Sequence, residues 1–167
     1  MIARVAAVSL ALVLGMSACG STDDDPSDGP SERPEFAQEA GVAGAERFAG
    51  YWVETLNEAT DSGDTETYRS LASEDCAACE DFAQQLDTIY ESGGRVESKG
   101  WEIAKIVPEA GATEDAVGLL MTVDVSEQTV YKTADAKADT FDGGTQAFRL
   151  ELIREEEAWL VDDLSPR

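Results

Sequence analysis

Three cysteines and no histidine set the limits of what this chain can do chemically. Without imidazole there is no Ser-His or Cys-His nucleophile pair, no His-liganded zinc and no ordinary general base. Cys76-Ala-Ala-Cys79 is the one close thiol pair. Residues three apart on a helical turn carry Cβ atoms about 5 to 6 Å apart, and a small adjustment at a helix start brings them within bonding range. An oxidising compartment would therefore make the pair a disulfide. The loop it closes is tiny, so its stabilisation is on the order of 2 kcal/mol. Zinc would need a second such pair or a histidine, and the sequence supplies neither. Thioredoxin-like exchange needs a buried strand before the motif, whereas Leu71-Ala72-Ser73-Glu74-Asp75 has the pattern of a helix end and a cap. Glu74, Asp75, Glu80 and Asp81 would also raise a thiolate's pKa and oppose reactivity.

Carboxylates are the most abundant reactive groups. The 167 residues carry 35 Asp plus Glu against 12 Lys plus Arg, a formal charge of −23. Nucleic acid is thereby excluded as a partner, because a polyanion needs a broad basic face to release its counterions. Electrostatic attraction to anionic headgroups fails for the same reason. Asp124, on the polar face of a long strand, is the one defensible general base, with Tyr51 or Tyr131 as hydrogen-bond donor. Trp52, Tyr90 and Trp101 are the candidate lining of an apolar pocket. The favoured expectation is a non-catalytic binding domain with no cofactor and no metal.

The N-terminal stretch is an address. Arg4 opens it, Val5 to Leu14 is an uncharged apolar run, and Gly15-Met16-Ser17-Ala18-Cys19 follows. A run this short falls below the roughly 20 residues needed to cross a bilayer but suffices for a signal-peptide core. Small residues just before Cys19 resemble the bacterial lipobox, which implies lipid attachment at Cys19, with residues 1–18 a signal peptide. Met16 stands where that motif prefers Leu. Residues 19–42, rich in Gly, Ser, Asp and Pro, are expected to be a disordered acidic tether. Several acyl chains on one Cys would hold the protein stably at the extracytoplasmic face of the cell membrane.

Residues 43–167 should form one domain. Phe48, Tyr51, Trp52, Leu56 and Ala59 recur at helical spacing and predict a first helix ending near Asp61-Ser62-Gly63. Asp64 is placed to cap a short second helix with Tyr68, Leu71 and Ala72. Ser73 is placed to cap a third, with Cys79, Phe82, Leu86, Ile89 and Tyr90, closed by Gly93-Gly94. After Gly94 short β-branched runs take over. Trp101 to Val107, Ala116 to Tyr131, Gln146 to Arg154 and Ala158 to Leu164 are predicted strands, with Val96 in a further short one. Glu155-Glu156-Glu157 should turn the last two into an antiparallel hairpin.

Three helices followed by a curved, mainly antiparallel sheet of about four strands is an α+β arrangement. Its order and lengths resemble the nuclear transport factor 2-like, or cystatin-like, cone. Phe48 with Tyr51-Trp52 and Leu56-Asn57, Gly63-Asp64-Thr65, Cys76-x-x-Cys79, Tyr90 with Gly93-Gly94-Arg95-Val96, and Trp101 resemble uncharacterised exported lipoproteins of high-GC Gram-positive bacteria. That resemblance implies fold and location, and no activity. A cone implies a pocket for a small molecule or a surface for an envelope protein. It also brings a homodimer through the sheet face into consideration, where Thr122, Ser126, Arg149 and Glu151 would lie, and an enzyme of the ketosteroid-isomerase-like type as the alternative.

Overall fold

The computed structural model describes residues 34–35 and 39–167. The predicted lipid site Cys19, the signal peptide and most of the predicted tether lie outside them. Helix α1 spans Gly41–Ser62, α2 Glu66–Ser70 and α3 Ala77–Glu91. Seven strands follow: β1 Arg95–Ser98, β2 Trp101–Pro108, β3 Ala116–Val125, β4 Gln128–Tyr131, β5 Asp139–Phe141, β6 Gly144–Glu155 and β7 Ala158–Pro166. The architecture is the expected α+β one, with helices first and antiparallel strands after. No helix among the described residues is long and apolar enough to cross a membrane.

The strands divide into two sheets, of order β2-β3-β6-β7 and β1-β4-β5. The single long strand predicted over Ala116 to Tyr131 is the point of division. It breaks after Val125, and its second half leaves the large sheet to pair with β1 and β5. Ser126 makes the bend: its hydroxyl accepts the Lys99 N–H at 2.9 Å and lies 2.9 Å from the Ser98 hydroxyl. It therefore joins the sheets instead of decorating an outer face.

Alternation decides the inner face of the large sheet. Val117, Leu119, Met121 and Val123 point toward the helices and are buried, as are Leu150 and Leu152 of β6 and Trp159 and Val161 of β7. Against them α1 lays Phe48, Trp52, Leu56 and Ala59 at helical spacing, all buried. The hairpin after β6 forms as expected, with Glu156 at φ 47° and Glu157 at φ 69°, both positive as a two-residue primed turn requires.

Ordered contacts begin earlier than the predicted domain start at residue 43. Helix α1 opens at Gly41, whose N–H donates to the Glu114 carbonyl at 2.9 Å, and the Trp159 indole donates to the Glu39 carbonyl at 2.7 Å. The caps also differ from expectation. Thr65 takes the N-cap position of α2, while Asp64 still accepts the Glu66 N–H at 3.0 Å. Cys76, not Ser73, precedes the first turn of α3; Ser73 is drawn away to Asp162 at 2.9 Å and pairs by its backbone with Val161.

Candidate functional site

Cys76 and Cys79 are joined in a disulfide at the start of α3, with Cα atoms 5.3 Å apart. Both residues are buried in the main core. Burial keeps the sulfurs from an incoming thiolate, so the bond acts as a fixed staple on the first turn.

Helix α3 uses two faces. Cys79, Ala83 and Leu86 turn to the core, whereas Phe82, Gln85, Leu86 and Ile89, spaced i, i+3, i+4 and i+7, make one wall of a cleft of about 270 Å³. The small sheet makes the opposite wall. Val96 of β1, Gln128 and Val130 of β4 and Phe141 of β5 line it, with Thr60 from the end of α1 and Lys132 just past β4. A wider hollow of about 440 Å³ shares Gln85, Ile89 and Lys132 and adds Asp81, Gln84 and Thr88. Lys132 pairs with Asp139 at 2.9 Å, so the cation at the mouth is already neutralised. Phe141 is 54% exposed, a large apolar ring held at the rim of an apolar cleft.

Two close approaches of backbone hold the walls in place. Gly94 lies against the end of β4: a Cβ there would sit 2.1 Å from the Tyr131 carbonyl oxygen. Gly63, at φ +77°, ends α1 in the left-handed region, and a Cβ there would sit 2.2 Å from the Tyr90 ring. Tyr90 in turn donates its hydroxyl to the Thr60 carbonyl at 2.6 Å, satisfying the end of α1. Arg95 stacks 3.6 Å over the Tyr131 ring and pairs with Glu97 at 2.8 Å. At the far side Asn57 holds the first residue of β2 by two hydrogen bonds, accepting the Trp101 N–H at 2.8 Å and donating to its carbonyl at 3.0 Å.

The predicted pocket aromatics therefore go elsewhere. Trp52 is wholly inside the core, Tyr90 closes α1, and Trp101 stacks on Phe148 with ring centroids 5.0 Å apart. None of the three lines the cleft. Sequence reasoning had Phe82, Leu86 and Ile89 on one stripe and Val96 in a strand, but missed Thr60, Gln85, Gln128, Val130, Lys132 and Phe141. One available signal was Phe141, a lone aromatic in the polar run from Lys137 to Asp142.

Asp124, the carboxylate named for the enzyme alternative, is exposed on the outer face of β3, where the Thr145 hydroxyl donates to it at 2.5 Å. It faces solvent rather than the apolar enclosure in which an inward general base would sit. Asp87 is held below the usual carboxylate range by Arg69, at 2.8 Å, and by the Thr65 hydroxyl, at 2.7 Å. Glu80 is likewise lowered by Arg69 and Gln84. These groups tie α2 to α3 and stay ionised. Thr122, Arg149 and Glu151 do face outward; Arg149 is engaged by Glu109 at 2.6 Å and by Glu151.

The Tyr51 hydroxyl, the Trp52 Nε1 and the Tyr68 hydroxyl are buried with no hydrogen-bond partner among the described residues. Tyr68 is fully buried, with its ring 5.9 Å from Trp52 and 5.4 Å from Phe82 between centroids. Burial pushes its phenol well above the ordinary value.

The profile of a family of unknown function, DUF6318, matches residues 26–165. No curated protein matches the chain. Among solved structures, the intermembrane space region of the chloroplast protein ARC6 superposes with a TM-score of 0.51 at 12% identity, covering 73% of this chain and 92% of that one. A protein of unknown function with a cystatin-like fold from Nostoc punctiforme gives 0.44 at 14% identity, covering 71% and 86%. An uncharacterised cystatin-like protein from Caulobacter vibrioides gives 0.47 at 10% identity, covering 71% and 85%. These likenesses concern the fold alone.

Proposed function

We propose that this chain, which belongs to the DUF6318 family of unknown function, is a non-catalytic binding domain that receives a small apolar molecule between α3 and the small sheet. The cleft itself carries the reading: about 270 Å³, walled by Phe82, Leu86, Ile89, Val96, Val130 and Phe141, with Thr60, Gln85 and Gln128 as the few polar groups that can orient a ligand. Concave, mostly apolar and sparsely polar is the usual character of a small-molecule site. The exposed position of Asp124 supports binding over chemistry. Placement at the membrane is part of the proposal and rests on residues 1–19: a lipid on Cys19 would hold the domain at the extracytoplasmic face, as in the exported lipoproteins of high-GC Gram-positive bacteria that the sequence resembles. A strongly acidic domain would there be repelled from the anionic surface that anchors it, keeping the cleft open.

Native mass spectrometry of the protein extracted from its own membrane tests both halves. The expected result is an acylated Cys19 and one small molecule per chain, lost when Val130→Trp fills the cleft. An unacylated soluble product would overturn the anchor. A bound mass that survives the filled cleft would overturn the site.

A further inference from the structure

Two of the unpartnered buried donors, on Trp52 and Tyr68, contrast with other donors of the core. The Trp159 indole reaches the Glu39 carbonyl, Tyr90 reaches the end of α1, and the buried Thr60 hydroxyl donates to the Leu56 carbonyl at 2.8 Å. Yet Trp52 Nε1 and the Tyr68 hydroxyl, on residues that expose none of their surface, have no acceptor among the described residues. Burying a donor without an acceptor carries its full desolvation penalty, so such groups are scarce in native cores and each calls for a partner. Their rings are neighbours, and Tyr68 packs on Phe82. Phe82 is shared: one part of its surface lines the cleft and another covers Tyr68.

We propose that the cleft takes a neutral apolar molecule bearing a carbonyl-type acceptor, which displaces Phe82 and is received by the Tyr68 hydroxyl and the Trp52 indole N–H. This rests on the reading of the cleft as a ligand site. An indole nitrogen only donates, so the group it meets must accept, which excludes an ammonium. Three features weigh against a carboxylate. Arg69, the cation next to Tyr68 in sequence, is committed to Asp87 and Glu80. Lys132 stands at the mouth, exposed and paired with Asp139. The chain's charge of −23 opposes the entry of an anion. Burial raises the Tyr68 phenol and leaves it a neutral donor. A ketone, ester or amide carbonyl at the end of an apolar body satisfies both donors without bringing a charge into the core.

The test compares octane, 2-octanone and octanoate on the full chain carrying Cys19→Ser, which keeps acyl groups out of the assay. Affinity is read from the amides of Gln85, Val130 and Phe141, and the acceptor from the Trp52 indole N–H resonance, assigned with Trp52→Phe. The ketone is expected to bind about tenfold more tightly than the alkane, as hydrogen bonds from the Tyr68 hydroxyl and the Trp52 indole N–H allow. It alone should move the indole resonance. Tyr68→Phe should abolish most of that preference and melt as the native protein does, since it removes an unpaired hydroxyl. Equal affinities with a stationary indole signal, or octanoate as the tightest ligand, would overturn the proposal and leave the cleft standing. If none of the three perturbs the cleft amides, the cleft reading fails and takes this inference with it.

Discussion

The two sheets of this protein are built to different standards. On the large one, Leu119, Met121, Val123, Leu150 and Leu152 are sealed beneath α1, each exposing at most 1% of its surface. On the small one, Val130 is only half-buried and Phe141 is 54% exposed, although both are as apolar as their counterparts across the molecule. The hydrophobic effect leaves surface of this kind open only at a cost, roughly 25 cal/mol for each Å². The difference teaches that the large sheet holds the domain together, and that the small sheet with the outer stripe of α3 keeps apolar surface available for something else.

Truncation should separate the two sheets most clearly. Leu119→Ala, in the sealed layer, is expected to cost about 2–5 kcal/mol of unfolding free energy in urea. Phe141→Ala at the cleft rim is expected to cost less than about 1 kcal/mol while removing apolar ligand binding. Comparable losses at both positions would erase the distinction.

Gly63→Ala tests the frame between them. It forces a side chain into the left-handed region and against the Tyr90 ring, so about 2–3 kcal/mol should be lost. Thermal unfolding reports the loss, and truncating Tyr90 as well should recover the steric part. Asn57→Ala removes both hydrogen bonds to the Trp101 backbone, and a loss of about 1–3 kcal/mol is expected. Hydrogen exchange should quicken at the start of β2 and leave the cleft amides unchanged.

The smallest effect lies in the acid limb. Asp87 titrates below its unfolded value because Arg69 and Thr65 favour the ionised form. Its contribution is therefore present above the unfolded carboxylate pKa of about 3.9 and fades as pH falls through the lower folded one. Solvent screening keeps it below about 1 kcal/mol. Asp87→Asn should flatten the stability profile below about pH 4 and leave the slope between pH 6 and 8 unaltered.

What was legible in the sequence followed the same divide. Where one face is sealed and the other wet, periodicity is strong: α1, the inner face of β3 and the β6–β7 hairpin could be read from spacing alone. The half-open region gave weak patterns. Nothing in Ala116 to Tyr131 marks the bend at Ser126, because that bend is decided by hydrogen bonds to Ser98 and Lys99 from another segment. The cone predicts a partly apolar pocket for which Trp52, Tyr90 and Trp101 are candidates, but Trp52 is large enough to fill the core and Tyr90 has a hydroxyl that α1 needs. The cleft falls instead to Gln85, Gln128, Val130 and Phe141, ordinary residues made notable only by tertiary arrangement. The Cys pair was legible because a three-residue spacing carries its own geometry.

Titration of the full chain with a neutral apolar fluorophore, N-phenyl-1-naphthylamine, against the chain carrying Val130→Trp bears most directly on the cleft. The account predicts one saturable equivalent bound by the native protein and a loss of most of the affinity in the filled variant, with both proteins melting cooperatively. Undiminished binding by a folded Val130→Trp variant, or no saturable binding by the native chain, would contradict it.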